Sequence, residues 1–132
     1  MLSRDNRPKP GDSKEAITAW LAGSTKDERH AWMEHLTYVH IAESIKGLRL
    51  RDGLTQKQLS NGLRTSTSMI CLWESGTYHG YTVTTLCKIA AFFDVALIMR
   101  FVGWPEFIAF TADGVMRVPA KFSADDLRKQ TD

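Results

Sequence analysis

The chain has 132 residues, 43% apolar and 24% charged, the composition of one ordinary globular domain. Its 17 basic and 15 acidic residues leave a net charge of +2. That excludes a polybasic, histone-like protein, so any contact with nucleic acid must come from local placement of charge. No apolar run approaches the ~18 residues of a membrane span. Met1–Ser13 lacks the apolar stretch of a signal peptide, so the expected location is the cytoplasm. Cys71 and Cys87 belong to no CxxC pair and are expected as free thiols, Cys87 within the core.

Residues 1–12 carry Pro8, Pro10 and Gly11 among mixed charges and read as a flexible arm. Residues 13–40 read as an N-terminal helical extension. Asp12 and Glu15 have N-cap and N3 chemistry for a helix over 13–22 with Ala16, Ile17, Trp20 and Leu21, ended by Gly23. Thr25 and Glu28 repeat that chemistry for a helix over 26–51. Its apolar positions are Met33, Leu36, Val39 or His40, Ile41, Ile45, Leu48 and Leu50, spaced mostly by three or four. Gly53 supplies the stop. Trp20, Trp32, Met33 and Leu36 either pack on the rest of the domain, the preferred reading, or form a partner groove.

Residues 41–94 read as a compact helical domain. Thr55 caps a short helix carrying Leu59 and Leu63. Residues 64–66 form a turn, and Ser66 caps a second helix over about 67–75, with Ile70 and Trp73 inward. A loop at 77–81 leads to a helix over about 83–93, capped by Thr82, with Leu86, Ile89, Ala90 and Phe93 inward. Residues 95–122 form a C-terminal extension. Val95–Val102 is a β-favouring run whose two alternating faces are both largely apolar. Such a strand needs a hydrogen-bonding neighbour. The candidates are Val115–Val118, read as extended, or the same strand of a second subunit. The second makes the chain a homodimer with Leu97, Ile98, Met99 and Phe101 at the interface. Residues 106–112 read as helix and 123–132 as a charged tail. The expected fold is mostly α, with a short C-terminal strand.

The most informative stretch is 54–76, LTQKQLSNGLRTSTSMICLWESG. Two short helices joined by a tight turn bury the first and expose the outer face of the second. That shape lets a helix enter the DNA major groove, about 12 Å wide. Gln56 opens the first helix, where an amide and free backbone N–H groups can hold a phosphate. Leu54, Thr55, Gln56, Leu59 and Ser60, followed by Ser66, Ile70, Glu74 and Gly76, resemble the signature of Xre-type, lambda-repressor-like helix-turn-helix regulators. The resemblance covers about residues 41–95. It departs from the family where Arg64 replaces the usual turn glycine and where Cys71 and Leu72 stand at positions often polar.

The resemblance implies a fold, a function and residue roles. Gln56 clamps a phosphate, with Lys57 beside it. Ser66, Thr67 and Ser68 open the recognition helix, and Thr67 and Ser68 read base edges. Leu72 lies one turn on, touching a thymine methyl or packing in the core. Met69 is a flank contact or a core filler. Ser75, Thr77, Tyr78 and His79 approach the next phosphates, and Arg49 pairs with Glu74 between helices. The implied partner is a double-stranded DNA operator, and the implied function is transcription regulation, as a repressor. Two alternatives stand beside it: an antitoxin that binds both operator and a toxin protein, and a protein-interaction module that reuses the fold.

No other chemistry competes. His30, His35 and His40 are spaced by five, on different helix faces, and build no metal site. No phosphate loop or nucleophile motif occurs, so neither catalytic residues nor cofactors are expected. Over 46–82, Lys46, Arg49, Arg51, Lys57 and Arg64 face Asp52 and Glu74, a local excess of 5 − 2, or +3. With Arg49 paired, the other four cations are expected to be available to phosphates.

Overall fold

A computed structural model describes residues 6–114 and 117–131. Seven helices occur among them: α1 (Lys14–Gly23), α2 (Lys26–Arg51), α3 (Gln56–Leu63), α4 (Thr67–Trp73), α5 (Val83–Phe93), α6 (Trp104–Asp113) and α7 (Ala124–Thr131). No helix among the described residues is long and apolar enough to cross a membrane.

Local chemistry starts most of these helices. Thr25 and Glu28 form a complete capping box on α2, and Thr55 and Gln58 form another on α3; each satisfies two amide groups that a bare helix end leaves open. Ser66 caps α4 and Thr82 caps α5. At α1 the cap is Ser13, not Asp12: the Ser13 hydroxyl accepts from Ala16 N at 3.1 Å. Asp12 instead turns its carboxylate back to accept from Lys9 N at 2.8 Å, which leaves the next residue to cap.

The long helix α2 is the spine. Its 26 residues rise about 39 Å at 1.5 Å each, enough to serve two separate cores. Near its start, Trp32 packs with Ile17, Trp20 and Leu21 of α1, and Leu36, Trp104, Phe107, Ile108 and Ala112 pack around them. Near its end, Ile45 and Leu48 join Leu59, Ile70, Trp73, Ile89 and Phe93, with Ile41 beside them. At about 100° per residue, Ile41, Ile45 and Leu48 lie on the side of α2 opposite Trp32. The buried stripe therefore changes face midway. This corrects the single stripe expected from spacing: Trp32 belongs to it, and Leu50 is exposed. Trp20, Trp32 and Leu36 pack within the chain; Met33 is half-buried.

The described part of the N-terminal arm is held in place. Pro8 is buried, its carbonyl accepts from Trp32 Nε1 at 2.9 Å, and Gly11 N donates to Thr111 O at 3.0 Å. A side chain at Gly114 would meet the Gly11 backbone at 2.6 Å, so the close crossing of arm and α6 requires glycine there. Residues 1–5 of the expected arm lie outside the described residues.

The C-terminal part differs most from expectation. Residues 95–103 are irregular, and no strand pairing occurs among the described residues. A ladder needs a second strand, and the described residues include none. Val115 and Met116, half of the expected internal partner, lie outside the described residues. The expected helix over 106–112 is the body of α6, started by Pro105 in its first turn. The expected charged tail forms α7, whose Arg128 pairs with Asp125 and Lys129 with Asp126 along its surface. Cys87 is exposed, a further correction: α5 buries Ile89, Ala90 and Phe93, and Cys87 lies beyond the edge of that stripe.

Candidate nucleic-acid interface

The geometry of α3 and α4 follows from their turn. Arg64 ends α3 in the left-handed region, at φ 56° and ψ 45°. A non-glycine residue pays about 1–2 kcal/mol for that conformation. Thr65 N then bonds Ser60 O at 2.9 Å, which closes the turn as a glycine would. A Cβ at Gly62 would collide with the exposed Phe92 ring of α5, so the ring in its present position lies over Gly62.

Behind the turn the two helices are fastened. Leu59 and Ile70 are fully buried. The buried Ser60 hydroxyl donates to Lys57 O at 2.7 Å and lies 3.2 Å from Thr67 Oγ1. Thr67 thus directs its oxygen toward α3.

One carboxylate ties three helices together. Glu74, at the end of α4, accepts from Arg49 Nε at 2.7 Å and from Arg49 Nη2 at 2.9 Å. Arg49 Nη1 also donates to Leu54 O at 2.9 Å. The side chains are only 11% and 4% exposed. The hydrogen bond to Glu74 raises the Arg49 pKa above its ordinary value. The stability that this shift adds is fully present below the unfolded value and is lost only as pH rises through strongly alkaline values. Gln56 Nε2 reaches Glu74 Oε1 at 3.4 Å. Its amide is therefore held by the ion pair at the first turn of α3.

Ile70 and Trp73 are the buried residues of α4. Thr67, Ser68, Cys71 and Leu72 are exposed; at about 100° per residue Ser68, Cys71 and Leu72 share the opposite side, and Thr67 lies at its border with the buried one. Leu72, for which outward and core positions were both open, points outward and is 45% exposed. Met69 is half-buried against the main core, in the filler position. The Ser66 hydroxyl accepts from Met69 N at 3.1 Å. Cys71 sits in the middle of the outer face yet was not among the residues expected to meet DNA. Its position three after Ser68 and four after Thr67 was the available signal.

The following loop is also ordered from behind. Ser75 Oγ donates to Leu72 O at 2.7 Å and lies 2.9 Å from Thr77 Oγ1. Ser75, Thr77 and His79 are exposed. His79 stacks on Tyr38 of α2, with ring centroids 4.0 Å apart and planes within 10°. Tyr78 is half-buried against the main core, so its ring supports the loop from inside. The Tyr81 hydroxyl donates to Trp73 O, and burial pushes its pKa up to about 12.

The cations around α4 divide into two groups. Lys46, Lys57 and Arg64 are exposed, and none of them forms an ion pair among the described residues. Arg51, expected to be available to phosphates, is committed elsewhere. It bonds Asp52 at 2.8 Å, Pro119 O at 2.9 Å and Phe93 O at 3.2 Å.

A mostly apolar groove of about 150 Å³ lies apart from this face, lined by Leu36, Val39, His40, Phe107 and Phe110 among others. Desolvation there lowers the His40 pKa. The described residues include no group of three or more His, Cys, Asp or Glu placed to hold a metal. No family model, curated protein or solved structure matches the chain. The functional reading therefore rests on the motif and on this geometry.

Proposed function

We propose that this chain is a sequence-specific regulator that binds double-stranded DNA, a repressor that occupies an operator. In this reading α3 and α4 form a helix-turn-helix and α4 is the recognition helix. The observation that carries it is the division of α4. Ile70 and Trp73 are anchored in the core and Glu74 is locked to Arg49, while Thr67, Ser68, Cys71 and Leu72 stand uncovered. A helix of about 10–12 Å diameter fits a major groove about 12 Å wide. Lys57 and Arg64 supply unpaired positive charge on the adjoining helix and turn, and the exposed Ser75, Thr77 and His79 lie on the following loop.

Two kinds of variant test this reading at fixed salt. Replacing both Thr67 and Ser68 with Ala is expected to cost roughly 1–3 kcal/mol on the preferred site, with little change on unrelated DNA. Lys57→Ala is expected to weaken binding to all sequences alike and to flatten the log–log salt slope by about one unit. If the double variant binds its site as tightly as the parent, Thr67 and Ser68 do not read the site.

The same reading includes a homodimer formed through 95–102. Ile98 is 84% exposed and Phe101 fully so, along a backbone with no strand partner among the described residues. Arg100, the run's only charge, is drawn aside to Glu106 at 2.6 Å. The run's exposed backbone and apolar side chains suit antiparallel pairing with a second copy. Two recognition helices roughly 34 Å apart would then meet successive turns of a near-palindromic site. Ile98→Lys is expected to give a monomer by light scattering and to weaken operator binding at least tenfold. A parent protein that stays monomeric at about 10⁻⁵ M, far above specific affinities of roughly 10⁻⁸–10⁻¹¹ M, and binds DNA one-to-one would contradict the dimer.

A further inference from the structure

The outer face of α4 has an unusual chemical content for a base reader. Thr67–Trp73 reads TSMICLW and contains no arginine, lysine, asparagine or glutamine. Arginine and lysine are the side chains that bond the two acceptors of guanine, and asparagine and glutamine those that bond the adenine edge. Glutamate and aspartate, which accept from cytosine, are also missing. Glu74 follows directly, but both its oxygens are taken by Arg49 and Gln56. The Thr67 oxygen is turned to Ser60. The Ser68 hydroxyl remains, and it can donate or accept at any base pair.

What the face does present is apolar. Leu72 is 45% exposed and Cys71 is exposed in the middle of the face. A cysteine of this kind behaves as a small hydrophobe. In the major groove the one apolar feature of an unmodified base edge is the thymine C5-methyl. The surrounding charge favours the same occupant: Lys57 and Arg64 are unpaired among the described residues and exposed, while the nearest carboxylate is neutralised.

Resting on the DNA-binding reading above, we infer that α4 selects its half-site by thymine methyl groups, received by Leu72 and Cys71. The ligand is a duplex half-site with thymines at one or two contacted positions, and guanine edges contribute little to the discrimination. Leu72 and Cys71 are specificity-determining residues in addition to Ser68.

The experiment uses the full chain and the duplex most enriched from a random pool. Each thymine of a half-site is replaced in turn by uracil, which lacks only the methyl, and each guanine by 7-deazaguanine, which lacks the N7 acceptor. Burying one methyl corresponds to about a fourfold change in affinity. Uracil is expected to cost about fourfold at one or two positions, and Leu72→Ala or Cys71→Ala is expected to abolish that cost at one of them. Both side chains are exposed, so these variants should fold, as circular dichroism would verify. Tolerance of uracil everywhere, with a tenfold or greater cost for 7-deazaguanine, would overturn the inference while leaving the DNA-binding reading intact. So would a uracil cost unchanged in both variants. Failure to enrich any duplex would overturn the DNA-binding reading and the inference with it.

Discussion

Glu74→Ala is expected to destabilise the protein by about 3–5 kcal/mol and to lower its melting temperature by on the order of 10 °C. The substitution removes two bonds to Arg49 and one to Gln56. It also leaves an arginine whose side chain is only 11% exposed without its counter-ion. That uncompensated charge is the source of most of the loss, since desolvating an ion is costly when nothing replaces its water. The double variant Arg49→Met with Glu74→Leu removes both charges and is expected to recover much of the stability. Urea titrations of the three proteins measure both effects. Parent-like stability in Glu74→Ala would show that the pair does not hold α4 against α2.

Trp32→Ala is expected to cost about 3–5 kcal/mol as well, through a different core. Trp32 is 1% exposed. It meets Trp20 at a centroid distance of 5.4 Å and Phe107 at 5.5 Å, and its indole N–H holds the Pro8 carbonyl. Truncation opens a cavity at the junction of α1, α2 and α6 and releases the arm's anchor. Because α2 serves its second core from the opposite face, the α3–α4 geometry should survive. DNA affinity per folded molecule is therefore expected to stay within twofold of the parent. A large loss of both stability and affinity in fully folded protein would mean that the two cores are not independent along α2.

How much of this was legible in the sequence depended on the range of the interaction. The box Thr25–Glu28 and the cap Thr55 are made within four residues, and they form where the sequence places them. The Arg49–Glu74 pair spans 25 residues and was legible only through a family resemblance that placed the two helices side by side. The change of buried face along α2 was hidden because each half of the helix is patterned for a different neighbour. Only tertiary packing shows that Trp32 and Ile45 look in opposite directions. Arg64 illustrates a third kind of limit. Turn chemistry asks for glycine there, yet arginine takes φ 56°, while the nearby Gly62 lies beneath the Phe92 ring. Val95–Val102 carries the alternation of a strand but no partner among the described residues, because sequence pattern reports a capacity for pairing and not the neighbour that fulfils it.

The central claim is that α4 reads DNA sequence. Its most direct test is selection of bound duplexes from a fully random pool by the intact protein, followed by sequencing. Enrichment of one near-palindromic site whose half-sites lie about one helical turn apart is expected, and it should weaken when Thr67 and Ser68 are both Ala. A pool that remains random after repeated rounds at low and moderate salt, with the protein folded throughout, would contradict it.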